Sequence, residues 1–131
     1  MKIFLKFVLA AAVLLLCGIL IANGIFLYTS EWKISPVDTS ISPDDTYQLK
    51  LLAIGEPDWP FGAASGRLTL SSGKNVIAKY DFRIHDDGAP IGPGSWQVAW
   101  QEEQVQVILS GSEQADEQVI LSFDGKVVST Y

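Results

Sequence analysis

Two patterns of apolar and polar positions divide this chain. From Phe7 to Tyr28 the sequence FVLAAAVLLLCGILIANGIFLY carries no charge and one strongly polar side chain, Asn23. From Tyr47 onwards, short apolar–polar alternations are separated by Gly, Pro, Asn and Asp. The first pattern predicts a helix in lipid, the second a series of half-buried strands.

Tyr47 to Ile54 predicts the first strand, with Tyr47, Leu49, Leu51 and Ala53 on one face. Arg67–Ser71 and Val76–Ile84 predict a hairpin joined through Ser72-Gly73-Lys74-Asn75. Trp96, Val98 and Trp100 share a face and should lie in the core. Gln101-Glu102-Glu103 turns the chain, and Val105, Val107 and Leu109 return it. Val119, Leu121 and Phe123 predict another strand, and Asp124-Gly125 signals a tight turn into Val127–Tyr131. Two loops, GEPDWPFGAASG over 55–66 and HDDGAPIGPG over 85–94, are too rich in Gly and Pro for regular structure. The fold class is therefore all-β: a small antiparallel sandwich or open barrel of about seven strands after one N-terminal transmembrane helix.

The apolar run spans about 33 Å as a helix, against a hydrocarbon core of about 30 Å. Lys2 and Lys6 precede it, which predicts a cytoplasmic N-terminus and a C-terminal domain outside. Tyr28 and Trp32 fall where aromatic rings favour the outer interface. A cleaved signal peptide is the rival, but its apolar region is usually shorter, about 7–15 residues. Leu14-Leu15-Leu16-Cys17 faintly resembles a lipobox, with Leu16 where a small residue belongs. The expected organisation is a cytoplasmic segment 1–6, an uncleaved single-pass helix 7–28, a linker 29–45 rich in Pro and Ser, and a β domain 46–131. Sixteen or so linker residues could lift that domain some tens of ångströms from the bilayer.

Charge sharpens this picture. All 15 acidic residues follow Ser30, against seven basic ones, so the outer part carries −8. That disfavours nucleic acid, whose backbone needs clustered Lys and Arg, and disfavours lying flat on anionic lipid. With Cys17 as the single cysteine, no internal disulfide can form.

The residues for chemistry are sparse. One histidine, His85, and one cysteine do not make a zinc site, and Gly92-Pro93-Gly94-Ser95 does not match a nucleophile elbow. His85-Asp86-Asp87-Gly88 lacks the alternating acidic spacing of a calcium loop. No catalytic, metal or cofactor-binding residue is expected. The unusual feature is Trp59-Pro60-Phe61, whose rings either plug the end of the core or anchor a partner. The small core favours a plug with Trp59 partly buried and Phe61 the more buried of the two.

Ser42-Pro43-Asp44 before Tyr47, Pro60-Phe61-Gly62, Asp86-Asp87-Gly88, Trp96–Trp100, Ser110-Gly111-Ser112-Glu113-Gln114 and Asp124-Gly125 together resemble an uncharacterised family of small bacterial membrane-anchored β-domain proteins. The resemblance implies a bacterial envelope location and carries no activity. The leading expectation is a non-enzymatic β domain at the cytoplasmic membrane, anchored in the bilayer through residues 7–28 and binding an envelope protein. The alternatives are an immunity protein whose acidic surface neutralises a basic toxin, and an envelope hydrolase using acidic loops.

Overall fold

The computed structural model describes residues 1–131. Helix α1 covers Lys2–Leu27, and a π-helical turn extends it over Tyr28–Trp32. Together they are long and apolar enough to cross a membrane, and no residue of α1 is buried against the rest of the chain. Hydroxyls finish the helix. Ser30 Oγ donates to the Phe26 carbonyl at 2.8 Å and Thr29 Oγ1 to the Ile25 carbonyl at 3.1 Å. They add side-chain donors to carbonyls of the last α-helical turn.

Eight strands follow: β1 Ile34–Ile41, β2 Gln48–Ile54, β3 Ala64–Ser72, β4 Asn75–Ile84, β5 Trp96–Trp100, β6 Gln104–Leu109, β7 Glu117–Ser122 and β8 Val127–Thr130. They form two antiparallel sheets, β1-β2-β3-β4 and β5-β6-β7-β8, so the chain completes one meander before starting the next. Alternation puts Leu49, Leu51, Leu68 and Leu70 on the inner face of the first sheet. Val105, Val107, Val119 and Leu121 take the inner face of the second, and all eight have no exposed surface. One hydrophobic cluster joins both faces.

The count is eight strands in two sheets of four, rather than about seven in a single sandwich. The addition is β1, which occupies eight of the seventeen residues read as a linker. Pro36 lacks the N–H that a central ladder needs. However, β1 is an edge strand that pairs only with β2, and the pairing skips a residue between Pro36 and Asp38. An edge strand with a bulge tolerates a missing N–H. In consequence Lys33 alone separates the helical turn from β1, and no spacer lifts the sheets away from the helix.

Two other boundaries moved. β3 begins at Ala64, three residues before the expected Arg67, because Gly66 serves close packing rather than a turn. A Cβ there would lie 2.4 Å from the Phe82 ring. Phe123 leaves β7 for a four-residue connection to β8, and its ring stacks on Tyr47 with centroids 3.8 Å apart.

No backbone ladder joins the two sheets, and polar side chains clasp their edges instead. Trp96 Nε1 donates to Asp38 Oδ2 at 3.0 Å and Trp100 Nε1 to Ser40 Oγ at 2.9 Å, tying β5 to β1. Across the molecule, the Tyr80 and Ser129 hydroxyls donate to Glu117 Oε2 at 2.9 and 3.2 Å, tying β4 and β8 to β7. Trp96 is buried as expected, whereas Trp100 is half-buried at the sheet edge.

Trp96→Ala is expected to cost about 3–5 kcal/mol, the usual loss for a buried aromatic. Urea unfolding of the full chain in detergent, followed by circular dichroism, checks this. A loss within about 0.5 kcal/mol, as for surface substitutions, would put the ring outside the core.

Candidate functional site

The antiparallel meanders sort the loops to two ends. The helix enters at the end where β2 and β4 finish and where β3, β5 and β7 begin. This end carries the connections 55–63, 85–95 and 110–116, and therefore the Trp59-Pro60-Phe61 segment.

The first of these connections is sewn to the helix terminus. Glu56 N–H donates to the Ser30 carbonyl and Gly55 N–H to the Lys33 carbonyl, both at 2.8 Å. Gly55 makes the approach possible. Its φ is +66°, and a Cβ would lie 2.3 Å from the Ser30 carbonyl oxygen. Beyond it the loop closes on itself, with Gly62 N–H donating to the Asp58 carbonyl at 2.7 Å and Asp58 N–H to the Ala63 carbonyl at 3.0 Å. Asp58 also pairs with Arg83 of β4.

The loop is held, but its rings are not inside. Trp59 is 92% exposed and Phe61 71% exposed. Phe61 is the less exposed of the two, yet the expected plug is overturned. The reason lies in the neighbouring loop, where Ile91 turns inward, is 7% exposed and joins the core cluster. With Ile84, Ala63 and Ala64 also buried at this end, the end of the core is filled without either ring. Ile91 sits in Ala89-Pro90-Ile91-Gly92, and an isolated aliphatic among turn residues was its only sequence signal.

The acidic loops bond to one another. Asp86 accepts the Ser112 N–H at 2.9 Å, while the Gln114 side-chain oxygen accepts the His85 N–H at 2.7 Å. The His85 carbonyl in turn accepts the Glu113 N–H at 3.0 Å. His85 is exposed. No three His, Cys, Asp or Glu side chains converge as a metal site would require.

A cleft of about 480 Å³ opens beside Tyr80, Asp81, His85, Glu117 and Tyr131. Both carboxylates there are engaged. Asp81 takes Arg67 in a two-point contact of 2.5 and 3.0 Å. Glu117, 3% exposed, accepts Tyr80 and Ser129, and the Tyr131 hydroxyl lies 3.5 Å from its other oxygen. Burial pushes the Tyr80 hydroxyl above its ordinary value, and the Glu117 carboxylate adds to this. The cluster therefore acts as a clasp between strands. A second cleft of similar size at the opposite end lies between Pro43, Tyr47, Trp100 and Phe123.

Trp59→Ala and Phe61→Ala should each change stability by no more than about 0.5 kcal/mol, as exposed positions do. Ile91→Ala should cost about 2–5 kcal/mol. Urea midpoints of the three variants check this, and a large loss at Trp59 would restore it to the core.

Acid stability follows from three carboxylates. The Arg67 guanidinium holds Asp81 below its usual value, the Ser42 hydroxyl does so for Asp44, and the Ser112 N–H for Asp86. Each pKa is lower folded than unfolded, so the unfolded chain takes up protons first on acidification. The stabilisation is complete above the unfolded value of about 4 and is lost as pH falls through the folded values. The thermal midpoint should be level from about pH 7 to 5 and drop below about 4, less steeply in Asp86→Asn.

No family model matches this chain, and no curated protein or solved structure shows significant similarity to it.

Proposed function

We propose that this protein is a non-enzymatic recognition domain, anchored by its N-terminal helix and presented outside the cytoplasmic membrane of a bacterium to bind an envelope protein. The observation that carries the reading is the direct junction of helix and sheet. One residue separates them, and the Glu56–Ser30 hydrogen bond fixes the first loop to the helix end. Such a junction holds the domain in a defined attitude to the bilayer, which lowers the orientational cost of meeting another membrane-bound partner.

The engaged state of Asp81 and Glu117 supports a binding role over hydrolysis. A hydrolase working through these two carboxylates would need one of them to exchange a proton with substrate. The charge of −8 after Ser30 favours a partner with a basic face, which is also the chemistry of the immunity-protein alternative.

Orientation is tested first. The variant Cys17→Ala with Lys74→Cys carries one thiol, on the exposed β3–β4 turn. A membrane-impermeant maleimide should label it in intact spheroplasts. Labelling only after lysis would reverse the orientation. Cross-linking from the same thiol should then yield a protein adduct that weakens as salt rises, since screening shortens to about 3 Å at 1 M. Labelling without any adduct would remove the partner-binding role and leave the anchor.

A further inference from the structure

We infer that the Trp59-Pro60-Phe61 loop is a second membrane contact, docking into the headgroup layer of the same leaflet from which the helix emerges. The inference rests on the anchor reading and adds what covers the exposed rings.

The first observation is position. If the uncharged run ends at the hydrocarbon boundary near Tyr28, the Ser30 carbonyl stands about 3 Å above it, at 1.5 Å per residue. The headgroup layer is about 5–8 Å deep on each side. Glu56 donates to that carbonyl, so the start of the loop is held at that level. Trp59 is three residues further on, within about 10 Å of Glu56 even if fully extended.

The second observation is composition and exposure. Trp59 is the most exposed large apolar residue after Met1, and Phe61 stands 71% exposed beside it. Trp32 (67%) and Ile34 (48%) are also uncovered where the helix meets β1, so the helix exit carries exposed apolar surface of its own. Tryptophan at this depth has an amphipathic ring suited to the interface.

The third is preparation. The hydrogen bonds within 58–63 and the Asp58–Arg83 pair hold the loop before any contact forms. The same pair offsets the charge on the carboxylate adjacent to Trp59. Little ordering remains to oppose insertion. The contact is also intramolecular once the helix is in the bilayer, so modest intrinsic affinity suffices. The acidic domain points to neutral lipid as the surface that receives the rings.

The test uses the full chain in phosphatidylcholine nanodiscs. Four tryptophans are present, so the Trp59 emission is taken as the difference between wild type and Trp59→Phe. With brominated phosphatidylcholine that emission should lose roughly half its intensity or more, and it should resist iodide added to the water. Emission open to iodide and indifferent to bromolipid would overturn the inference and leave the rings to a protein partner. The anchor reading is read separately, by alkaline carbonate extraction of native membranes. Protein retained in the pellet with Trp59 open to iodide sinks the loop contact alone. Protein released by carbonate sinks the anchor and the loop contact together. The variant Phe61→Asp gives an independent check. It should stay in the pellet and keep its unfolding midpoint, while its Trp59 becomes open to iodide. Protection equal to wild type would count against the docking.

Discussion

The hydrogen bond from Glu56 to the Ser30 carbonyl sets the relation between the two halves of the molecule. A helix terminus leaves carbonyls without partners, and such groups are costly to leave unmet when buried. The Ser30 and Thr29 hydroxyls serve the last turn from within, and the β2–β3 loop serves it from the sheet. Because Gly55 permits the close approach, the first strand pair grows directly from the helix end. The attitude of the β domain, the position of the Trp59 loop and the absence of a spacer all depend on that contact.

The sheets face a different constraint. Two consecutive meanders share a core but no ladder, so their edges need other partners. Both edges use polar side chains at the rim of the apolar cluster. The two indole N–H groups of β5 meet Asp38 and Ser40 on one side, and hydroxyls converge on Glu117 on the other. A buried carboxylate is tolerable only when its oxygens are satisfied. Glu117 meets that condition, which is why it reads as a structural clasp despite lining a cleft.

The proposed function rests on placement more than on chemistry. The carboxylates of Asp58, Asp81, Asp86 and Glu117 make loop ties and strand clasps, whereas the large exposed rings gather at the helix end. The proposed reading uses what remains: a fixed orientation, a ring-bearing loop at the bilayer surface and an acidic exterior.

The local pattern by itself determined the apolar helix, the strand periods and the inner-face residues from Leu49 to Leu121, because period and transfer free energy act on neighbouring residues. It also singled out Trp59 and Phe61 as unusual. Whether those rings lie inside or outside was decided by the tertiary structure, since occupancy of the core end depends on Ile91 arriving from another loop. The same holds for β1. Pro36 forbids a central ladder but not an edge, and only the sheet order tells which one the strand occupies. Glu117 was equally hidden, since its sequence neighbours Glu113 and Asp116 are acidic too. Its role rests on hydroxyls from Tyr80 and Ser129, 37 and 12 residues away, and contacts of that separation leave no trace in local periodicity.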